Sequence, residues 1–253
     1  MTGQSICFDQ VAGRYDATRG GLRRGREIAE VIEPHLGSTE RVLEVGVGTG
    51  AVGVALAERG RTVVGLDLSA EMLGRALGRL GPRVVRGDAH TLPFATSSVG
   101  ATYLVWVLHL VAEAGAVLAE CARVLQDGGR LVVVAGRPRP DPGTAPDIAP
   151  ILAPLEAVRD ARVRSDDAES VQAWASAAGL KLVARAERRE HFEHSPLEAA
   201  QAIEQRAYSY LWDIETRMWS DLVVPVINKL RALPEPDRPR AFRQRQDLLV
   251  FEK

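Results

Sequence analysis

The chain has 253 residues, 46% of them hydrophobic and 26% charged, and a net charge of −1 at pH 7. That mixture fits one large α/β domain, or two small ones, and provides no overall field to draw nucleic acid or an anionic membrane. The cysteines, Cys7 and Cys121, give neither a disulfide framework nor a metal-ligand spacing, so no metal is expected.

The opening MTGQSICFDQ lacks the basic-then-apolar profile of a secretory leader. The longest apolar run, Val99 to Ala112, is too short to cross a bilayer and contains His109. A soluble, cytoplasmic protein is expected. Lysine occurs only at Lys181, Lys229 and Lys253, which together with abundant Ala and Gly suggests a GC-rich bacterial genome.

Phe8, Val11, Tyr15, Leu22, Ile28, Val31 and Ile32 are spaced as helical pieces, broken at Arg19-Gly20-Gly21. Residues 1–38 are therefore expected to form a helical cap, packed at a sheet edge or over a ligand cleft. Then comes VLEVGVGTG, Val42 to Gly50, a short apolar run followed by glycines at alternate positions. The run reads as a buried strand, and the glycines as a tight turn with bare backbone where a ligand can approach. AVGVALAERG reads as the next helix, stopped by Gly60, with its first N–H groups aimed back at the loop. The loop fits both a dinucleotide pattern, Gly46-x-Gly48-x-x-Ala51, and the Glu-x-Gly-x-Gly-x-Gly of S-adenosylmethionine (AdoMet) enzymes.

The second strand is RTVVGLD, ending in Asp67. Ser69 caps the following helix, which Gly81-Pro82 ends. The third strand is RVVRGD, ending in Asp88; the fourth spans about Gly100 to Val105; GAVLAECARVL is a helix, with Cys121 in its apolar stripe. RLVVVAG is the fifth strand, and the Pro-rich RPRPDPGTAP reads as an extended loop. Helices follow at about Asp147–Arg164 and Asp166–Ala178, the latter capped by Ser165. LKLVARAERREHF alternates apolar and polar residues and reads as a strand near an edge. Ser195-Pro196-Leu197-Glu198 combines a capping box with Pro in the first turn, and opens a Tyr/Trp-rich helix to about Ser220. A helical piece near Pro225–Leu233 and a last strand, RQRQDLLVFEK, close the chain. Nearly continuous apolar strands alternating with helices imply a parallel sheet covered on both faces.

An acid at the end of the second strand, about 20 residues past the glycines, hydrogen-bonds ribose hydroxyls in NAD and AdoMet enzymes alike. Glu44 inside the first strand and Gly87-Asp88-Ala89 closing the third discriminate between them. Asp88 can accept the adenine amine, and Ala89 leaves room for the ring. No separate substrate domain follows, as a dehydrogenase would need.

With these residues in order, the chain resembles the class I AdoMet-dependent methyltransferases, of the group similar to ubiquinone and menaquinone biosynthesis enzymes. VLEVGVGTG, VVGLDLSAEML, RGDAHTLPF, VLHLV and LQDGGRLVVV resemble that family's successive motifs, over about residues 8–136 and more weakly beyond. The resemblance implies an α/β, Rossmann-like three-layer sandwich whose seven-stranded, mostly parallel sheet has the order 3-2-1-4-5-7-6. Its last strand would be antiparallel. It also implies a single domain over 1–253, with the helical segment at 1–38 and a helical insertion or lid at 194–240. Gly100 departs from the Asp usual at the start of the fourth strand.

The cofactor implied is AdoMet, with S-adenosylhomocysteine as product. By the resemblance, Gly46 and Gly48 bring backbone close to the methionine portion, and Glu44 orients the loop. Asp67 takes the ribose hydroxyls, Leu68 and Met72 flank the adenine, and Asp88 holds its amine beside Ala89. Tyr15 and Arg19 match the Tyr and Arg that lie near the cofactor carboxylate. His109, after the fourth strand at the ligand-binding edge, reads either as a catalytic base or as a packing residue. The Tyr/Trp-rich helix reads either as a lid for an aromatic or apolar substrate or as ordinary core. The absence of an Asp/Asn/Ser-Pro-Pro-Tyr/Phe run after the fourth strand disfavours DNA and glutamine substrates. The acceptor expected is an oxygen or carbon, with nitrogen third, of a small-molecule metabolite of secondary metabolism. The enzyme is expected to act as a monomer or homodimer, with neither a nucleic-acid nor a membrane partner. An RNA methyltransferase, or an AdoMet-binding protein that no longer methylates, are the alternatives.

Overall fold

The computed structural model describes residues 8–9, 12–141, 147–162, 166–212 and 214–253. Cys7, Val11 and Ser165, invoked above, lie outside them. The elements run α1 (Ala12–Arg19), α2 (Gly21–Ile32), β1 (Arg41–Val45), α3 (Ala51–Ala57), β2 (Thr62–Asp67) and α4 (Ala70–Leu80). After them come β3 (Val84–Arg86), β4 (Val99–Val105), α5 (Ala114–Val124), β5 (Leu125–Pro140), α6 (Ile148–Arg162) and α7 (Ala168–Ala177). The rest is β6 (Lys181–His194), α8 (Pro196–Glu204), α9 (Thr216–Met218), α10 (Val224–Arg231) and β7 (Arg240–Glu252).

The seven strands form one sheet in the order β3-β2-β1-β4-β5-β7-β6, as expected, with β6 at an edge. β1 pairs in parallel with β2 and β4, β2 with β3, and β4 with β5. β7 runs against β5: Lys253, just past its end, bonds to Gly129 near the start of β5, and Arg243 accepts from Asp141 past the far end of β5. Side chains alternate across this sheet and build a core on each face. Val42, Tyr103, Val132, Val134, Leu248 and Val250 join Ile28 and Ile32 of α2, Leu56 of α3 and Leu80 of α4. Leu43, Val45, Leu104, Leu131, Val133 and Phe251 join Leu118 and Cys121 of α5 and Val171 of α7. Each such side chain, fully buried, contributes about 1.5–3 kcal/mol.

Local chemistry sets the ends. Ser69 caps α4 by accepting from the Met72 N–H at 3.1 Å, and Gly81 stops it at φ 62°. The capping box of α8 is complete: Ser195 accepts from the Glu198 N–H, and Glu198 accepts from the Ser195 N–H. Elsewhere the expected boundaries move. α7 is capped by Asp167, which accepts from the Ser170 N–H at 2.8 Å, so the helix starts later than Asp166. β3 stops at Arg86 and leaves Asp88 in the following loop. β5 continues through Pro140 instead of ending at Gly136. Pro138 and Pro140 are two apart, so their missing N–H groups fall on one side of the strand. The single helix expected from Ser195 to Ser220 is broken. Arg206 takes φ 51°, and short turns at Ser209–Leu211 and Thr216–Met218 precede a π turn at Trp219–Val223. The break is held locally. Arg206 donates to the carbonyls of Leu211 and Trp212, and the Trp212 indole donates to that of Arg206.

The packing divides into two compact units, one of residues 1–137, 166–187 and 247–253, the other of 138–165 and 188–246. The second is cored by Ile148 and Leu155 of α6, Ile203 of α8, Leu211, and Ile227 and Leu230 of α10. The first holds both sheet cores and the site described next.

α2 crosses α3 at Gly25, where an added Cβ would lie 2.3 Å from the Ala51 carbonyl oxygen. Backbone cannot yield as a flexible side chain would, so overpacking governs. Gly25→Ala is expected to lower the unfolding free energy by about 1–3 kcal/mol, read from urea denaturation against the wild type.

Candidate active site

β1 delivers the chain into a loop built on glycine. Gly46, Gly48 and Gly50 take φ 78°, 54° and 78°, a region costly for other residues. At Gly46 an added Cβ would fall 2.4 Å from Val107, so a side chain is excluded twice over. At Gly48 an added Cβ meets no atom within 4 Å: bare backbone faces open space. The loop is pinned to the end of β2, with the N–H groups of Gly46 and Val47 donating to the Leu66 carbonyl at 2.8 and 2.9 Å.

Asp67, the last residue of β2, completes that tie. Its Oδ2 accepts from the Gly48 N–H at 2.8 Å and its Oδ1 from the Ser69 N–H at 2.9 Å. Burial, reinforced by the charge of Asp9, pushes its pKa above the usual carboxylate value, against the pull of the Ser69, Gly48 and Leu68 N–H groups. Asp88 behaves oppositely. The His90 N–H, at 2.9 Å, lowers its pKa against a smaller effect of burial, and the His90 ring, at 2.6 Å, lowers it further. Both contacts use Oδ1; Oδ2 takes no hydrogen bond among the described residues.

Two cavities meet at the loop. The first, of about 700 Å³, is lined by Asp67, Leu68, Met72, Asp88 and Ala89 on one side and by Phe8, Tyr15, Trp106, Leu110 and Val111 on the other. The second, of about 510 Å³, is lined by Tyr15, Asp16, Arg19, Arg24, Glu44 and Trp106, among others. Gly46 and Gly48 line both. The residues singled out from the sequence are thus brought together, with one exception. His109 lines neither cavity; its Nδ1 lies 3.4 Å from the buried Asp166 carboxylate.

The comparisons with known proteins agree with this geometry. A family model described as "Methyltransferase domain" matches residues 43–133. A demethylmenaquinone methyltransferase of Parafrankia sp. (strain EAN1pec) is 35% identical over 210 residues, covering 71% of this chain and 83% of that protein. The chain belongs to the class I AdoMet-dependent methyltransferases, of the ubiquinone/menaquinone type. A demethylmenaquinone methyltransferase of Mycobacterium sp. (strain KMS) is 40% identical over 132 residues, 50% of this chain and 56% of that protein. The chain therefore spans about half the length of such relatives. The fold is shared with the geranyl diphosphate C-methyltransferase of Streptomyces coelicolor A3(2), at TM-score 0.56 and 19% identity, over 91% of this chain and 79% of that one.

Within this methyltransferase fold, several residues of the site carry no motif. Asp16 of α1 accepts from the Thr49 hydroxyl at 2.7 Å and from Arg79 of α4 at 2.5 Å, while Arg79 also donates to the Thr49 carbonyl. Burial would raise the Asp16 pKa, but the bonds from Arg79 and Thr49 and the charges of Arg79 and Arg75 hold it below the usual value. These contacts latch the helix carrying Tyr15 and Arg19 onto the loop. Asp16 lies inside YDATR and is the one member with a local signal; Arg79 is a long-range partner. Trp106, just past β4, takes φ 55°, a conformation that costs a bulky residue about 1–3 kcal/mol. The Arg24 guanidinium lies 3.9 Å from its ring centroid.

Glu44 is buried beneath the loop. It is the register partner of Tyr103 on β4, whose hydroxyl donates to it at 2.9 Å. Burial raises its pKa from 4.5 to about 8; the bonds from Tyr103 and the Gly53 N–H oppose this, and the charge of Asp67 adds to it. Between those pH values the folded chain keeps a proton that the unfolded chain releases, so stability falls as pH rises through the window. Glu44→Gln keeps an acceptor for Tyr103 but cannot ionise. It is expected to flatten the stability-against-pH curve between about pH 5 and 8, measured by urea unfolding at successive pH values.

Proposed function

We propose that the chain binds AdoMet across the carboxyl ends of β3, β2, β1 and β4 and directs its methyl group to a small-molecule acceptor, at an oxygen or carbon before a nitrogen. The observation that carries this is the pair of cavities joined at Gly46 and Gly48, with Asp67 and Asp88 lining only the first and Arg19 and Arg24 only the second. That distribution of polar groups suits a nucleoside with an amino-acid tail. The demethylmenaquinone methyltransferase relatives support a small-molecule acceptor.

When bound, AdoMet supplies a methyl group already activated by the positive charge on sulfur. The residues of the chain then have the tasks of grip, alignment and dryness. Each Asp67 oxygen already accepts one backbone N–H and has a further lone pair for a ribose hydroxyl. Asp88 Oδ2 can take the adenine amine, while Leu68, Met72 and Ala89 wall the ring. The open backbone at Gly48 accommodates the methionine portion, Arg19 of the second cavity stands where its carboxylate would lie, and Tyr15, which lines both cavities, stands between. The remaining wall of the first cavity, Phe8, Leu110 and Val111, is apolar and suits an apolar or aromatic acceptor. No group of metal-ligating side chains occurs among the described residues, and no helix among them is long and apolar enough to cross a membrane.

Asp67→Ala removes the ribose acceptor and the Gly48 tie together. It is expected to weaken AdoMet binding at least ~10-fold by calorimetry, about the worth of one charge-assisted hydrogen bond. Unchanged affinity would refute the ribose role. Since His109 sits against Asp166, the reading supported is a packed pair that holds the turn after β4. His109→Ala is expected to keep AdoMet affinity and lose less than ~10-fold in turnover, against the 10²–10⁴-fold loss typical of removing a base. Abolished turnover with intact affinity would make it the base instead. Turnover is followed by mass spectrometry with labelled AdoMet and a metabolite extract, where the acceptor appears as a product heavier by one methyl.

A further inference from the structure

The two cavities share Tyr15, Gly46, Gly48, Val105 and Trp106. A ligand with its nucleoside in the first and its amino-acid end in the second must pass its middle through this shared stretch. In AdoMet the middle is the cationic sulfur. None of the shared residues is an acid, and the nearest carboxylates are engaged elsewhere. Asp16 is held by Thr49 and Arg79, Asp67 by two backbone N–H groups, and Glu44 by Tyr103. The side chains of the shared stretch that can offer a face to the charge are two aromatic rings, Tyr15 and Trp106.

Trp106 is suited to that task. Its backbone is strained at φ 55°, and glycine would relieve the strain, so what the fold retains at this position is the indole. The ring takes a cation in this structure, with the Arg24 guanidinium carbon 3.9 Å from its centroid. Tyr15 is braced by Phe8, edge to face at 6.0 Å between centroids. Aromatic faces attract cations through their quadrupole, and the attraction grows where water is excluded. We propose that Trp106 and Tyr15 form an aromatic seat for the cationic sulfur, so that the site favours the charged methyl donor over its neutral demethylated product. The proposal rests on the AdoMet reading above and assigns to these two rings a selection by charge.

The test is calorimetric and needs no turnover. AdoMet, S-adenosylhomocysteine and sinefungin, which carries an ammonium in place of the sulfonium, are titrated into the wild type, Trp106→Leu, Trp106→Phe and Tyr15→Leu. Folding of each variant is checked by its thermal transition. Trp106→Leu and Tyr15→Leu should each raise the Kd of AdoMet and of sinefungin relative to that of S-adenosylhomocysteine by about 10-fold, and Trp106→Phe should restore most of the difference. Equal losses for all three ligands would reduce the rings to shape and overturn the proposal. So would sinefungin following the neutral product. Failure of the wild type to bind any of the three would strike the AdoMet reading itself, a separate and recognisable result.

Discussion

The contact on which the site depends is the one between the Asp67 carboxylate and the Gly48 amide. It joins the end of β2 to the loop that follows β1, adding a side-chain tie to the bonds that the Gly46 and Val47 N–H groups make to Leu66. Because Gly48 has φ 54° and no side chain, its N–H can turn toward the carboxylate while the backbone stays open to a ligand. Because Asp67 is part-buried, the bond is little screened, and the burial that raises its pKa also makes a lost partner costly. The carboxylate that shapes the loop is thus the same one proposed to grip the ribose.

Beneath that contact lies a second layer of polar order. Glu44 and Tyr103 face each other across β1 and β4 with almost no exposure, an arrangement tolerated only because each partners the other. Gly53 matches it from α3: an added Cβ there would sit 2.7 Å from the Glu44 carboxylate. The loop above thus rests on a buried, hydrogen-bonded floor, which accounts for an acid standing inside an otherwise apolar strand.

Much of this was legible in the chain itself, for definite reasons. The sheet order followed from a set of motifs in sequence, and the strands from their continuous apolar runs. Gly46, Gly48, Asp67 and Asp88 are local signals because tight turns and strand ends ask for particular residue types. What the sequence concealed is what depends on distance. The partnership of Asp16, Thr49 and Arg79 links residues 33 and 63 positions from Asp16, and no local pattern encodes it. His109 stands at the expected end of its strand, and its neighbour at 3.4 Å, Asp166, lies far along the chain. The helix expected through Ser220 failed because Arg206 could satisfy the broken backbone with its own side chain, a local solution that apolar periodicity does not register.

The latch between α1 and the glycine loop has a thermodynamic corollary. Tyr15 and Arg19 line the cavities only while their helix is seated, and the contacts of Asp16 with Thr49 and Arg79 help to hold that seat. Apparent affinity is then the intrinsic affinity multiplied by the seated fraction, so a weaker latch taxes every ligand that touches the helix. By reciprocity, a ligand in the second cavity must tighten the helix it touches, making the exchange of the α1 amide protons a reporter of its occupancy.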